Sequence, residues 1–403
     1  MSTELAHFTP AISAIDAPSE RRTHPMIYLD NAATSFPKPE SVYRALDRFA
    51  RESLANPGRA GHRMALSSER VLEDTRHLLN QFFEGDGPER FIYTLNATDA
   101  LNMAFKGVLE AGDHVITTDL EHNSVSRPLR ALELAGRIAL TRIRANAAGV
   151  VDPEEVRKAI TRKTRMIALT HASNVLGTVQ PITEIGKMAR ERNVLLLVDA
   201  AQSAGVIPVN IRSMAIDLLA FPGHKSLLGP TGTGALYVGS KAKLKPWREG
   251  GTGGDSASET QPTDYPYYLE GGTPNVLGIA GLSAGIEYVM ERGLAAIEQH
   301  EFELTERLAQ RLQAMPSYEL FGVAPGVRRI GTLSFRHRDL AAVEVGGILD
   351  QSFSIAVRPG LHCAPYIHRA LGTFPDGTVR ASPGPFSTIE DIDVLAGALE
   401  EIA

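Results

Sequence analysis

The sequence predicts an α/β protein with a mostly parallel sheet flanked by helices, and three observations support this fold class. Short apolar segments alternate with amphipathic segments from about residue 91 to residue 238. Residues 165–170 and 194–199 are almost wholly apolar, as strands covered on both faces are. Polar residues follow several of these apolar runs, at the strand ends where open α/β sheets collect their ligands.

Each element of this alternation is predicted from its own local pattern. Asp152 is a typical helix N-cap, because Pro153 and two acidic residues follow it in the first turn. β-branched and aliphatic runs predict the strands, and helical spacing of apolar residues predicts the helices between them. The remaining predicted elements here are strands over 91–94, 114–118 and 138–143, and helices over 98–107 and 126–136.

The pattern changes after about residue 280, so we expect two domains preceded by an N-terminal arm. Residues 1–25 lack the apolar core of a secretory signal and are predicted to be a partly ordered arm rather than a transit peptide. Residues 26–280 are expected to form a large domain. Residues 281–403 are expected to form a smaller α+β domain, which the arm completes by folding back. Its predicted elements are one long helix over 284–315, a strand at 331–336, a helix at 339–352, a strand at 355–357 and a terminal helix from about Thr388.

The composition argues against several classes of protein. The 403 residues are 43% hydrophobic and 22% charged, which is typical of a soluble globular protein. The net charge of −6, without a long basic run, argues against nucleic acid or an anionic membrane as partner. No apolar run approaches the ~20 residues that a membrane helix needs. A single cysteine excludes an internal disulfide and fits a reducing compartment, so the expected location is cytoplasmic.

Lys225 is the strongest single signal for chemistry. It lies in the glycine-rich segment 221–234 after an apolar strand, and another buried strand ends at Asp199. A lysine that forms an imine must lose its proton, which desolvation favours, and a buried carboxylate needs a cation such as a protonated pyridine nitrogen. The pair therefore predicts pyridoxal phosphate (PLP) held as a Schiff base on Lys225. The alternatives are an exposed loop lysine and a capping aspartate, whereas a Walker phosphate loop is excluded because His224 fills its glycine position.

Cys363, the only cysteine, is the second decisive residue. Proline and glycine residues surround it, which indicates a loop, and Arg358, His362 and His368 flank it. Cations on both sides would lower the pKa of the thiol and favour a nucleophilic thiolate. The alternative is a packed, inert thiol. Together with Lys225, this cysteine predicts an enzyme that moves sulfur.

Other polar residues are weaker candidates when each is taken alone. His122 follows a predicted strand, so its imidazole could stack on the pyridine ring and shuttle protons, although a lone loop histidine is more often a surface residue. Gln202 could bond the phenolic oxygen of the cofactor. Arg380 and Arg358 could form a fork around a substrate carboxylate. The turn at 96–99 opens a helix and can offer N–H groups to a phosphate.

With these residues assembled, the sequence resembles the class V, fold-type I PLP enzymes, and among them the cysteine desulfurases, over nearly its whole length. The resemblance implies the fold of a PLP-dependent transferase with a large domain and a smaller α+β C-terminal domain. The matching segments are 28–34, 96–102, 121–124, 171–178, 198–203, 223–225, 270–275, 358–364 and 379–382.

The resemblance also implies a role for each matched residue. The expected catalytic residues are Lys225, Cys363 and His122, and no metal site is expected. The residues expected to bind PLP are Lys225, Asp199, Gln202, His122, Asn174, Ala97, Thr98, His224 and, from the partner subunit of a homodimer, Thr273. The residues expected to bind the substrate are Arg380, Arg358, Asn31 and Ala33.

The implied function is removal of sulfur from L-cysteine, giving L-alanine and a persulfide on Cys363 that passes to an acceptor protein, for example in iron–sulfur cluster assembly. The alternatives are selenocysteine lyase, cysteine sulfinate desulfinase or an aminotransferase on the same scaffold, and an inactive PLP-binding sulfur carrier or regulator. Two features depart from the family pattern. Pro222 stands where Ser or Thr is usual, and residues 386–388 replace an aromatic-Asn-Thr turn.

Overall fold

The structure is a computed structural model that describes residues 26–58, 61–253 and 257–403, so the predicted arm at residues 1–25 lies outside the described residues. The strands are β1 (Ile27–Tyr28), β2 (Phe91–Thr94), β3 (Asp113–Thr118), β4 (Ile138–Ile143), β5 (Thr164–Thr170), β6 (Leu195–Asp199), β7 (Leu218–Pro222), β8 (Gly234–Val238), β9 (Tyr318–Phe321), β10 (Leu333–His337), β11 (Ile355–Ala356), β12 (Arg358–Gly360) and β13 (Thr378–Ala381).

Helices alternate with these strands along the chain. They are α1 (Glu40–Glu52), α2 (Arg63–Phe83), α3 (Ala97–Val108), α4 (Asn123–Leu134), α5 (Pro153–Ala159), α6 (Ile182–Glu191), α7 (Val276–Arg292), α8 (Leu294–Gln313), α9 (Ala342–Phe353), α10 (Pro365–Ala370) and α11 (Ile389–Ile402). Asp152 caps α5 as predicted, because its side chain accepts a hydrogen bond from the N–H of Glu154. Within the described ranges, no helix combines the length and the apolar character needed to cross a membrane.

A seven-stranded sheet with the order β2-β8-β7-β6-β5-β3-β4 forms the larger part of the molecule. Only β8 in this sheet runs against the other six strands. Every residue of β6, β7 and β8 is buried, because helices cover both faces of the sheet. The predicted α/β fold with a mostly parallel sheet is therefore confirmed.

Two hydrophobic cores lie on the two faces of this sheet. On one face, apolar residues of α2, α6 and α7, such as Leu79, Ile185 and Ile279, pack against the strands. On the other face, α3 and α4 contribute residues such as Phe105 and Leu129. This burial provides the main free energy that fixes the carboxyl ends of the strands, where the candidate site lies.

A smaller antiparallel sheet has the order β12-β13-β10-β9 and has its own core. Leu308 of α8, Val345 of α9 and Leu395 of α11 belong to that core. The first described strand joins this part of the molecule, since β1 pairs in parallel with β11 through Ile27 and Ile355. The start of the described chain is thereby attached to its C-terminal part.

The single long helix predicted over 284–315 is wrong, because the structure has two helices there. The break lies at Gly293, which ends α7 and precedes α8 with a φ of +82°. A left-handed φ cannot continue an α-helix, and glycine adopts it without a steric penalty. The apolar residues of α7 belong to the core of the large sheet, whereas those of α8 belong mainly to the core of the small sheet. We therefore propose Gly293, rather than residue 280, as the boundary between the two parts.

Candidate active site

Most of the predicted site residues meet in one cavity of about 210 Å³ at the carboxyl ends of the parallel strands. Asp199 is the last residue of β6, and Thr170, which ends a predicted strand but was not among the predicted site residues, is the last residue of β5. The predicted residues that line the cavity are Lys225, Asp199, Gln202, His122, Asn174, Ala97, Thr98, His224, Arg380, Arg358 and Ala33. The strand ends that the sequence predicted to collect ligands therefore do converge.

Hydrogen bonds from the segment that follows β1 hold the loop that carries Lys225. The backbone N–H of Ser35 donates to the carbonyl of His224 over 3.1 Å, and its hydroxyl donates to the carbonyl of Lys225 over 2.8 Å. The Lys38 ammonium donates to the same His224 carbonyl over 2.8 Å. Gly223 is required because a Cβ there would lie 2.2 Å from the hydroxyl of Thr233.

Lys225 itself is an amine in a desolvated position. Burial lowers its pKa to about 8, and the neighbouring Arg380 and Arg358 act in the same direction, while Asp199 opposes them. About a tenth of the side chain is therefore uncharged at pH 7, far more than for an ordinary lysine. An uncharged amine is the form that condenses with an aldehyde.

Asp199 is a buried carboxyl without an ion-pair partner among the residues that the structure describes. It is 3% exposed, and its Oδ1 accepts a hydrogen bond of 2.9 Å from the N–H of Ala201. Burial raises its pKa, although the positive charge of Lys225 partly opposes this effect. A flat heteroaromatic cation in the cavity would supply the missing counter-charge, so this residue fits a protonated pyridine ring.

The first turn of α3 forms the anion-binding end of the cavity. Asn96 caps the helix, since its side-chain oxygen accepts from the N–H of Asp99 over 2.9 Å. Ala97 and Thr98 follow in the first turn, where N–H groups have no intrahelical acceptor and the helix dipole is positive. The Nδ1 atom of His224 is buried without a hydrogen-bond partner among the described residues. These donors fit the phosphate of PLP.

Pro222 and His122 complete the walls of the cavity. Pro222 lines it and carries no hydroxyl, so the hydroxyl that a Ser or Thr would offer at this position is absent. The N–H of Ser124 donates to Nδ1 of His122 over 3.1 Å, so a neutral His122 carries its proton on Nε2. Burial, reinforced by the charge of Lys225, lowers the pKa of His122 to about 4. The imidazole is therefore uncharged at neutral pH.

The two arginines of the cavity lie opposite each other on neighbouring strands, Arg358 on β12 and Arg380 on β13. Arg380 is buried, and its Nη2 atom donates to Oδ1 of Asp30 over 2.7 Å while Nη1 donates to the carbonyl of Asn174 over 3.1 Å. Asp30 thus neutralises one of two facing cations. Sequence reasoning missed this role of Asp30, which lies in a matched segment but 350 residues from its partner.

Cys363 lies on a groove of about 580 Å³ that adjoins the cavity and shares Thr98, His122 and Ser124 with it. Nη2 of Arg358 is 4.0 Å from its Sγ atom. The thiol is partly buried and is a free cysteine. The structure therefore places the thiol beside the Lys225 cavity rather than in an unrelated part of the molecule.

The prediction that cations flank this thiol on both sides is wrong for the two histidines. Both imidazoles are buried, and burial lowers the pKa of His362 well below its usual value and that of His368 to about 4. His362 bonds the hydroxyl of Thr378 over 2.9 Å, and His368 bonds that of Thr373 over 2.8 Å. Both are neutral packing residues, so Arg358 is the flanking cation that remains.

Two residues on the predicted substrate and cofactor lists lie outside the cavity. Asn31 lines a neighbouring cavity of about 20 Å³, and its amide donates to the carbonyl of Ser382 over 3.1 Å. Thr273 lines a separate cavity of about 650 Å³ beside α2, so its expected contact with the partner subunit's cofactor stays a prediction. The side-chain amide of Gln202 donates one N–H to the carbonyl of Ala32, and that of Asn174 donates one to the carbonyl of His362. The second N–H of each amide can therefore bind a ligand.

Known proteins are similar to this chain in both sequence and structure. The family model described as aminotransferase class-V matches residues 27–395. A probable cysteine desulfurase of Methanothermobacter thermautotrophicus is 37% identical over 94% of each chain. A cysteine desulfurase of Yersinia pestis is 34% identical over 94% of this chain and 93% of its own.

Solved structures give a consistent result. The apo structure of a cysteine desulfurase from Thermococcus onnurineus NA1 matches with a TM-score of 0.88 and 34% identity, covering 94% of each chain. The cysteine desulfurase CsdA of Escherichia coli, in an S-sulfonic acid form, matches with a TM-score of 0.84 and 29% identity over 93% of this chain and 94% of its own. Sequence and fold therefore indicate the same group of relatives.

Proposed function

The chain belongs to the class-V aminotransferase family and, within it, to the cysteine desulfurases, and on this premise we propose that it is a PLP-dependent enzyme that removes sulfur from L-cysteine. The products are L-alanine and a persulfide on Cys363. The observation that carries the proposal is the arrangement of three groups around one cavity: the amine of Lys225, the unpaired carboxyl of Asp199 and the adjoining thiol of Cys363.

The cavity residues divide the task of holding PLP. When bound, the cofactor supplies an electron sink for the negative charge that develops at the substrate α-carbon. Asp199 would keep the ring nitrogen protonated, His122 would cover the ring, and the first turn of α3 with His224 would hold the phosphate. Lys225 would anchor the cofactor and then move the α-proton, for which a pKa of about 8 is suitable at neutral pH.

The substrate is held through its carboxylate. Arg380 offers a guanidinium that Asp30 and the carbonyl of Asn174 keep in one orientation, and its Nε atom is buried without a hydrogen-bond partner among the described residues. A planar guanidinium bonds a carboxylate through two parallel N–H donors. This contact selects an amino acid and leaves its side chain free to point toward the groove of Cys363.

Cys363 performs the sulfur step as a thiolate. Its Sγ attacks the sulfur of the substrate, so an S–S bond forms while the substrate Cβ–S bond breaks. The electron pair of the broken bond stays on Cβ and takes up a proton, which gives the methyl group of alanine. The guanidinium of Arg358 lies 4.0 Å from Sγ and is the positive group that faces the sulfur during the attack. The persulfide then faces the groove, where an acceptor thiol can remove the outer sulfur.

Several finer features of the proposal come from the family alone. We propose a homodimer in which Thr273 contacts the partner subunit's cofactor, a cytoplasmic location, and an acceptor protein that serves iron–sulfur cluster assembly. Analytical ultracentrifugation checks the dimer. Coupling of persulfide loss from Cys363 to the appearance of sulfur on a candidate acceptor, read by mass spectrometry, checks the acceptor.

The deciding experiment is mass spectrometry of the protein after incubation with PLP and L-cysteine. We expect one extra sulfur on the peptide that contains Cys363, with alanine formed in step. The variant Cys363→Ala should keep the visible absorbance of bound PLP and form no persulfide. Alanine production without a modified Cys363 would instead indicate a lyase or transaminase. PLP absorbance without turnover of any amino acid would indicate a PLP-binding carrier or regulator.

A further inference from the structure

The residue pair that ends in the thiol has an unusual backbone. His362 has a φ of +47° and Cys363 a φ of +57°, so two consecutive residues other than glycine adopt the left-handed conformation. Each such residue is strained relative to a right-handed or extended one, because its Cβ approaches the following carbonyl oxygen. Such a conformation persists only where surrounding contacts hold it.

Besides the bond of the His362 imidazole to Thr378, two short hydrogen bonds from outside the loop hold the backbone carbonyls of the pair. The backbone N–H of Asn123 donates to the carbonyl of Cys363 over 2.7 Å. The side-chain amide of Asn174 donates to the carbonyl of His362 over 2.7 Å. The two donors come from different elements, since Asn123 is the first residue of α4 and Asn174 lies in the loop after β5.

We propose that the N–H of Asn123 and the amide of Asn174 form a clamp that fixes the left-handed pair and so positions the thiol of Cys363 for attack on the substrate sulfur. This inference rests on the proposed function. In it, Asn123 is a positioning residue that acts through its backbone alone, because the hydrogen bond does not use its side chain.

The thiol depends on this clamp because little else orients it. The polar neighbour found for Sγ in the described part of the chain is Arg358 at 4.0 Å, a long contact even for sulfur. The groove beside the thiol is open, so packing does not fix the side chain on that face. Loss of one clamp bond would let the carbonyls of the pair rotate, and a displacement of about 1 Å in a nucleophile is enough to slow a reaction about 10²-fold.

A proline at position 123 removes this donor and places its ring carbon Cδ against the carbonyl of Cys363, so it breaks the clamp bond and displaces the pair, while the helix itself accepts it. Position 123 is the first position of a helix, where proline is favoured because it has the required φ and its missing N–H has no intrahelical acceptor. The preceding residue, His122, has φ −62° and ψ 155°, which is a conformation that a following proline accepts. Asn123→Ala is the matched control, since it deletes the side chain and keeps the N–H.

Three measurements on the holoenzyme separate the role of the Asn123 backbone N–H from that of its side chain. Single-turnover persulfide formation on Cys363 should be about tenfold slower in Asn123→Pro than in Asn123→Ala, with the KM for L-cysteine unchanged within about twofold. Alkylation of Cys363 by iodoacetamide without substrate should change at least about threefold in the proline variant alone. The visible absorbance of bound PLP should stay the same in both variants.

The outcomes are distinct. Equal persulfide and alkylation rates in the two variants would overturn the clamp, and an equal loss in both would assign the effect to the side chain and overturn it too. If the wild-type protein forms no persulfide, the proposed function fails, and the alkylation rates still decide the clamp. Should Asn123→Pro lose its PLP absorbance, Asn174→Asp removes the other donor; unaltered alkylation in that variant would then reject the inference.

Discussion

The two reactive side chains of this protein, Lys225 and Cys363, lie in loops with similar sequences but different surroundings. Each is preceded by a histidine that burial keeps neutral, His224 before Lys225 and His362 before Cys363. Lys225, however, faces the smaller cavity at the strand ends with a carboxyl beside it, and hydroxyl and ammonium donors hold its loop. Cys363 faces an open groove, and its loop is a left-handed pair held by two amide donors.

The difference shows that the two loops control different quantities. Enclosure around Lys225 controls proton affinity, since desolvation and neighbouring charges determine how readily the amine gains or loses a proton. The partial exposure of Cys363 controls access, since an acceptor thiol must reach the outer sulfur of the proposed persulfide from the groove. In the second loop the backbone geometry, rather than burial, has to provide the precision.

Replacement of each reactive residue should separate the two loops most strongly. Lys225→Ala should abolish both the visible absorbance of bound PLP and alanine formation, with a loss of about 10³-fold or more. Cys363→Ser should keep the absorbance and lose persulfide formation. Absorbance spectra and alanine assays of the two purified variants check this pair. Normal PLP absorbance in Lys225→Ala would contradict the assignment of Lys225.

Removal of the negative charge of Asp199 should have the next largest effect on activity. Asp199→Asn keeps the size of the side chain and removes the negative charge that would face the ring nitrogen. We expect desulfuration to fall by about 10²-fold, because a buried cation would lose the carboxylate that faces it, with weaker PLP binding as well. The alanine assay at saturating PLP, with PLP affinity measured by fluorescence, tests this; activity near that of the wild type would exclude the ring contact.

Uptake of PLP by the cofactor-free enzyme should depend on pH through Lys225. The pKa of this amine is lowered to about 8, so below that value most of it is ammonium, which has no lone pair to attack an aldehyde. The rate of appearance of the visible absorbance should therefore rise about tenfold per pH unit below pH 8 and level off above it. Stopped-flow absorbance gives this profile. A plateau that begins only near the usual lysine pKa would show that the loop does not shift the amine.

Loss of the ion pair between Asp30 and Arg380 should have a moderate effect, confined to the binding of L-cysteine. Asp30→Asn removes the carboxylate that orients Arg380, while the carbonyl of Asn174 still accepts from the guanidinium. We expect the KM for L-cysteine to rise about tenfold and kcat to change less than about threefold. Steady-state kinetics resolve the two constants. A selective fall in kcat would instead link Asp30 to the chemical step.

The smallest expected effect lies away from both loops and serves as a baseline. Thr388 caps α11, because its hydroxyl accepts from the N–H of Asp391 over 3.1 Å and the Asp391 carboxylate accepts from the N–H of Thr388 over 2.8 Å. Thr388→Ala should lower the free energy of unfolding by about 1 kcal/mol without changing kcat. Thr388→Ser, which keeps the oxygen, is the control. Denaturant unfolding of both variants measures the difference.

The sequence predicted the central strands well because their burial on both faces leaves a simple apolar run. Residues 194–199 correspond to β6, and the helix start at Asp152 has local capping chemistry that needs no distant contact. Lys225 and Asp199 were predictable for a related reason. Both follow apolar runs directly, and strand ends of a parallel sheet meet at one edge.

Features that depend on distant packing were not predictable in this way. The helical pattern continues through residue 293, so the break appears only as the left-handed φ of Gly293. His362 looked like a cation beside the thiol, but its charge depends on burial and on Thr378, 16 residues later. Asp30 and Arg380 are 350 residues apart in the sequence, so no local pattern predicts that they pair.

The pairing of β1 with β11 also has a consequence for the order in which contacts form during synthesis on the ribosome. Tyr28 is synthesised long before its strand partner Ala356, and Asp30 is synthesised 350 residues before the arginine with which it pairs. At about 5–20 residues per second, that interval is roughly 20–70 s. Throughout it β1 has no strand partner, so the contact that ties the first described strand to the C-terminal part of the chain forms only after nearly all of the chain between them has been made.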